Sequence, residues 1–443
     1  MNHVLASYNE SVQIDRELRE SVRSASFPPL FTQSYEKILL SRPTFIGDST
    51  VRQFANDLTD IFRILVSLPS LAFGGSVHDY CTAVGITGAL RELMTRGDDV
   101  TGPPLFGRSD AYLTDQGFQL LEFNIGTELG GMDFAELNHA LLKVPAFHAF
   151  AERHELAFVD TADVVAGVLR EQAARVTDSD RPVVVLLETT GGLAHHFNFR
   201  SVAEAMCARG LDFRLGEVQD LRLRGGKLVL DGTPVDVAMR FYAAGEILEA
   251  PGGADLIDPV LRAHADGGTV CFTGLGSSLY NTKGGLALLR DSQVQATLTA
   301  GERATVDRVV PWTRMLCGGD PGLLDRCRAE RGDLIVKPSV GWGAAGAVRG
   351  ADTDDRSWSA LLGERLDRGY VVQRIVRPRL ETVWEPDEPG PRDWAVNWGV
   401  FVTPHGYAGS FNRALKPEDG TIITFGNKGT RGTCAFTFPD GAR

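Results

Sequence analysis

Residues 107–125, "GRSDAYLTDQGFQLLEFNI", constrain this chain more than any other stretch. Two strand-like runs flank "TDQG", which is turn chemistry, so the segment reads as a β-hairpin. With Asp115-Gln116-Gly117 as a three-residue loop and Gly117 left-handed, Thr114 pairs with Phe118. Asp110 then lies opposite Glu122, and Arg108 opposite Asn124. Leu121, Phe123 and Ile125 alternate and mark the buried face. Glu122 and Asn124 point the other way, toward Asp110. Like charges directly opposite destabilise a strand pair. A fold that keeps two carboxylates there needs a cation between them. Two carboxylates and an amide oxygen are hard ligands that suit Mg²⁺ held jointly with phosphates. Arg108, on the same face, is placed to stabilise a phosphoryl group or a tetrahedral oxyanion. The competing reading is an ordinary solvated polar face.

The chain has 443 residues, 43% of them hydrophobic, enough for more than one domain. Its net charge of −12 repels phosphate backbones and anionic lipid over most of its surface. No nucleic-acid or membrane partner is therefore expected. No apolar run reaches the ~18 residues of a membrane span. The first residues lack the layout of a secretory leader, so the expected location is cytoplasmic. Six scattered cysteines without a CxxC pair read as reduced thiols packed as small hydrophobes. The nine histidines show no metal spacing, and the adjacent His195 and His196 read as surface or loop residues.

The first hundred residues are mainly helical in pattern. Ile14, Leu18 and Val22 form one stripe. Phe54, Leu58, Ile61, Phe62 and Leu65 form another, with Ser49 as a plausible N-cap. Together with the hairpin they make a first segment, 1–150. Segment 151–280 alternates strand and helix: "DRPVVVLLE", "FRSVAEAMCARG" ending at Gly210, "DFRLGEV", then a Gly-Gly turn before "VDVAMRFY". That order argues a small open α/β sheet. Segment 281–443 opens with the helix "KGGLALLRD". It continues with the strand-like runs "DRVVPWTRML", "DLIVKPSV" and "GYVVQRIVRP" and a hairpin about "TPHG".

"VKPSVGWGAAGAV" places Lys337 at a strand end, followed by Gly341, Gly343 and Gly346. Such glycines let backbone N–H groups approach phosphate oxygens, and the lysine adds a fixed charge. It is neither a Walker loop nor a dinucleotide fingerprint, and a plain structural turn is the competing reading. The strand "YVVQRIVRP" offers backbone groups, Gln373 and Ile375 to an adenine edge; an ordinary core strand is its alternative.

Taken together, these segments resemble the ATP-grasp carboxylate–amine ligases, in the circularly permuted arrangement of the glutathionylspermidine synthetases and related peptide ligases. The family's R-x-D strand, followed twelve residues later by E-x-N, looks like Arg108-Ser109-Asp110 and Glu122-Phe123-Asn124. Its "NK" looks like Asn281-Thr282-Lys283 with one residue inserted. Its "KP…G…G" loop looks like Lys337-Pro338 and the glycines after it, and a late G-x-x-x-R strand looks like Gly409 to Arg413. The resemblance implies an α/β (α+β) architecture: a permuted ATP-grasp fold with a helical N-terminal region and a small α/β pre-ATP-grasp domain. It implies ATP and Mg²⁺ as cofactors. Asp110, Glu122 and Asn124 would hold the metal. Lys283 and Lys337 would contact phosphates, the 341–346 loop would close over them, and Gln373 and Ile375 would hold adenine. Arg413 would meet phosphate or substrate carboxylate, and Arg108 an oxyanion. Where glutathionylspermidine synthetases carry a D-T-P turn, this chain has "IGTELGG". A dedicated amide or peptide ligase of natural-product biosynthesis therefore fits better than one for glutathione and spermidine. Glu128 and Arg240 are substrate-side candidates, with a polar rim or local ion pair as their alternative reading. A small-molecule kinase on the same scaffold and a non-catalytic nucleotide-binding module are the competing functions. A homodimer is the default expectation for a soluble enzyme.

Overall fold

The expected hairpin is part of a seven-stranded sheet that draws on both ends of the chain. The computed structural model describes residues 3–126, 129–320, 322–341 and 345–441. The strand order is Thr44–Gly47, Arg431–Phe438, Gly406–Leu415, Arg392–Thr403, Gly107–Thr114, Gly117–Ile125, with Glu381–Val383 also paired to Arg392–Thr403. All neighbours run antiparallel except Thr44–Gly47 beside Arg431–Phe438. One face packs on the long helix Asp48–Ala72. Phe54, Leu58, Ile61, Phe62 and Leu65 are all buried there, with Phe54 stacked on Phe118 at 4.3 Å. The opposite face meets the helix Thr161–Ala173 through Val165, Leu169 and Phe401.

The strands Val270–Phe272, Val237–Arg240, Val183–Glu188 and Asp212–Glu217 form the small open α/β sheet that the middle segment suggested, and all are parallel. Helix Phe199–Ala208 stops just before Gly210, whose φ of +86° favours glycine. A third sheet, Thr313–Met315, Tyr370–Arg374, Leu334–Pro338 and Val348–Arg349, is antiparallel. It closes its own core around Trp358, Leu362, Leu334 and Val372. No single described helix is long and apolar enough to cross a membrane.

Three local expectations need correction. The Ile14–Val22 stripe is not one helix: Asp15 caps a new turn by accepting from the Leu18 N–H, and Ile14 is left 91% exposed. Ser49 does not cap the long helix. Its N–H instead donates to Asp440 Oδ2 at 2.9 Å, so the far end of the chain supplies the acceptor. Most of "DRVVPW" is not strand. Ala300–Val309 is helical, started by a Thr299–Glu302 capping box that outweighs the β-branched run.

Candidate functional site

The hairpin turn is one residue shorter than expected. Thr114 pairs with Gly117, leaving Asp115-Gln116 as the loop. A β-bulge then absorbs the difference: Ala111 pairs with Leu120 and Asp110 with Glu122, leaving Leu121 as the extra residue. Asp110 therefore faces Glu122 and Arg108 faces Asn124, although by a different route. The bulge also moves Leu121 out of the core. Leu120 takes the fully buried place, while Leu121 lines a cleft with Tyr112 and Ile423.

That cleft holds about 830 Å³. Arg108, Asp110, Glu122, Asn124 and Arg413 line it from the central sheet. Arg413 Nη2 lies 2.7 Å from Asp110 Oδ1, and Arg108 Nη2 lies 3.6 Å from the same oxygen. Burial pushes the Asp110 carboxyl up, but Arg413, Arg108 and Lys283 together outweigh it and hold it below the usual carboxylate value. Arg108 Nη1 also donates to the Gly130 carbonyl at 2.6 Å, fastening the chain just beyond the hairpin.

Lys283 opens the helix Lys283–Leu289, which Thr282 caps by accepting from the Gly285 N–H. The backbone N–H of Lys283 donates to Ser339 O, and that of Gly284 to Ser339 Oγ. Any Cβ at Gly284 would collide with Ser339 and the Val84 carbonyl, so glycine permits the close approach. This clamp sets the helix start against the end of the Lys337 strand. Lys283 Nζ reaches Glu122 Oε1 at 2.7 Å and Gly341 O at 2.8 Å. Lys337 Nζ donates to Gln373 Oε1 at 2.8 Å, and Gln373 Nε2 donates to Thr313 Oγ1. Burial pushes the Lys337 ammonium down to about 8, and the charge of Lys283 adds to this while Glu122 and Asp110 oppose it.

Several expected residues take other places. Gln373 lines the cleft, but its carboxamide bridges Lys337 and Thr313. The Ile375 N–H is committed to Asp333 O at 2.8 Å, so that donor is not offered to a base edge. Gly346 does not line the cleft, whereas Ala345 and Ala347 do. Arg240 does not line the cleft. It is 2% exposed and donates to Thr273 O, Tyr242 O, Gly274 O and Ser277 Oγ, tying two loops together. Gly343 and Glu128 lie outside the described residues.

Sequence reasoning missed Asn397. It stands in register with Arg413 and Tyr112, lines the cleft, and its buried Oδ1 has no hydrogen-bond partner. A readable signal existed: Trp394, Val396, Trp398 and Val400 alternate into the core, and Asn397 breaks the other face as Glu122 and Asn124 do. Among the described residues no three His, Cys, Asp or Glu side chains cluster as metal ligands. The donors here are two carboxylates and two carboxamides, an all-oxygen set that fits a hard divalent cation better than a zinc-type one.

The far end of the cleft is aromatic, lined by Tyr35, His196, Phe197, Phe241 and Phe425. His195 is exposed, as expected, but His196 is half-buried, stacked on Phe199 at 4.3 Å, and its Nε2 lies 3.5 Å from Glu188 Oε2. Glu188 ends a central parallel strand and is 2% exposed; burial pushes its carboxyl up to about 7.

No family model matches the chain. Over 179 residues it is 29% identical to a Frankia alni protein named "Putative glutamate--cysteine ligase 2-3". The match covers 40% of this chain and 19% of that protein, so the chain spans about a fifth of the curated relative it matches. Among solved structures, the apo form of a glutathione synthetase-like effector from Globodera pallida superposes over 90% of each chain with a TM-score of 0.56 at 12% identity, a likeness of fold. A "Putative gamma-glutamylcysteine synthetase" from Methylobacillus flagellatus aligns over 89% of each chain at 14% identity, with a TM-score of 0.42.

Proposed function

We propose that this chain is an ATP-dependent carboxylate–amine ligase of permuted ATP-grasp type, forming an amide through an acyl phosphate and releasing ADP and phosphate. The observation that carries the reading is the charge imbalance of the cleft. Among the described residues, Lys283, Lys337 and Arg413 line it with Asp110 and Glu122 as the only carboxylates, and Lys337 is partnered by an amide oxygen rather than an acid. Buried positive charge without a counter-ion is costly, and a polyphosphate supplies one. Fold likeness to a glutathione synthetase-like protein supports the scaffold, and the curated relative's name supports amide-bond ligation as the class. The chain order, with the hairpin ahead of Lys283 and Lys337, supports the permuted arrangement.

In this reading Lys283 and Lys337 hold phosphate oxygens, with Gly341, Ala345 and Ala347 lining the cleft beside them. Asp110, Glu122 and Asn124, with Asn397 beside them, would hold magnesium, which would supply positive charge toward the phosphate oxygens. A substrate carboxylate oxygen attacks the γ-phosphorus and ADP leaves. The amine nitrogen then attacks the acyl carbon, loses a proton, and phosphate leaves. Arg108 offsets the oxyanion that develops in that second step. The protein supplies position and charge and needs no nucleophile of its own.

A screen of carboxylates and amines by coupled ADP release, with product mass, tests this. Amine-dependent ADP release and a condensed product are expected. Amine-independent release with a stable phosphorylated product would mark the kinase alternative. AMP and pyrophosphate would contradict the acyl phosphate, and no turnover of any pair would favour the non-catalytic module.

A further inference from the structure

The aromatic end of the cleft begins at Arg108 and continues ring by ring. The Arg108 guanidinium lies 5.9 Å from the Phe411 ring, Phe411 lies 5.8 Å from Phe425, Phe425 6.2 Å from Phe197, and Phe197 5.7 Å from Tyr35. Phe197 is 53% exposed, an unusual place for a phenyl ring. Only five large hydrophobic side chains are exposed among the described residues, and three of them, Phe197, Leu380 and Ile422, line this one cleft. Apolar surface gathered at a cleft marks a ligand of matching character.

Charge narrows the ligand further. Two cations lie against Phe411, Arg108 and Arg413, each 5.9 Å from its ring, while Asp133, the acid behind Tyr35, is buried and does not line the cleft. Among the described residues that line the cleft the only acids are Asp110 and Glu122, and both already face cations, Arg413 and Lys283. The Tyr35 hydroxyl donates to the buried Asp133, so Tyr35 offers the cleft its ring. A ligand here meets positive charge at one end and aromatic faces along its body. Among the described residues that line the cleft, a positively charged body would find only acids already paired with cations, and a second carboxylate would lose hydration to ring carbons.

Building on the ligase reading above, we infer that the aromatic end binds the body of the carboxylate substrate. That substrate is an aryl or bulky aliphatic acid with its carboxylate at Arg108. Offset and edge-to-face ring contacts favour the aryl form.

The test is titration calorimetry on the full chain, with magnesium and a non-hydrolysable ATP analogue present, using 3-phenylpropanoate, propanoate, glutarate and 2-phenylethylamine. Phenylpropanoate is expected to bind at least tenfold tighter than the other three. Phe197→Ser should weaken it about tenfold and Phe197→Tyr should retain it, with a thermal melt confirming the fold of each. Equal or tighter binding of propanoate, glutarate or the amine, with the analogue bound, would overturn this inference and leave the ligase reading standing. Failure of the analogue itself to bind would overturn the ligase reading first. Wild-type affinity in Phe197→Ser would also overturn the inference, since the ring would then lie outside the site.

Discussion

The two ends of the cleft are built in opposite ways. At the charged end, Arg108, Asp110, Glu122 and Asn124 share one hairpin, and Arg413 stands two strands away in the same sheet. Backbone ladders fix their spacing. At the aromatic end, Tyr35, Phe197, Phe241 and Phe425 come from four distant parts of the chain, with Phe197 and Phe425 outside any strand or α-helix. Ring packing holds them together, helped by separate hydrogen bonds such as Tyr35 to Asp133 and Ser34 to the Phe197 carbonyl. On the function and substrate reading proposed above, the contrast teaches a division of labour: chemistry sits where the sheet register holds charges in place, and substrate choice where loops can change without disturbing it.

The largest expected effect tests the charged end. Asp110→Asn keeps the shape but removes a charge that three cations face, and turnover should fall by roughly 10²-fold or more. Steady-state ADP release measures it. Normal turnover would remove Asp110 from the metal set and, with it, the claim that this end does the chemistry.

A smaller effect separates the two ends by pH. Burial lowers Lys337 from its ordinary value to about 8 in the fold, so its charge is complete below pH 8 and lost as pH rises through it. The cost of holding that charge is therefore present below about 8 and relieved between there and the unfolded value. Nucleotide binding, which favours the ammonium, should weaken above pH 8 and take up a proton, seen as a buffer-dependent heat of binding. Lys337→Arg should abolish that break. Binding of the carboxylate body at the aromatic end should not share it; if it did, the two ends would be electrostatically one site.

The smallest effect lies behind the aromatic end. Glu188, pushed up to about 7, keeps its proton in the fold at pH values where the unfolded chain has lost it. That raised value contributes stability at low pH which is lost as pH climbs through about 7. Glu188→Gln should match wild type at pH 5 and exceed it at pH 8 by roughly 1–3 kcal/mol, read by denaturant unfolding. No gain at pH 8 would mean that a cation compensates Glu188 behind the aromatic end.

The charged end was legible in the sequence because it is local. Alternation gave the hairpin, and turn chemistry gave its place. The pairing at Asp110 and Arg108 agrees with the expectation although the turn and the register over 111–114 do not, because the bulge at Leu121 restores the count, and only three-dimensional packing decides which of the two leucines bulges. Asn397 carried the same signal as Glu122 and was overlooked. Arg240 is hard to read for the opposite reason: of its four partners only the Tyr242 carbonyl is near, while Thr273, Gly274 and Ser277 lie more than thirty residues onward. The aromatic end could not be read at all, since rings spread from Tyr35 to Phe425 converge only through the fold.

The most direct test of the central claim follows the substrate's oxygen. With an acid and an amine chosen by the ADP-release screen, the acid is labelled with ¹⁸O in its carboxylate, and the products are analysed by mass spectrometry and ³¹P NMR. An acyl phosphate requires one labelled oxygen to appear in the released inorganic phosphate, with ADP unlabelled. Label found in AMP, or phosphate free of label while amide accumulates, would contradict the account.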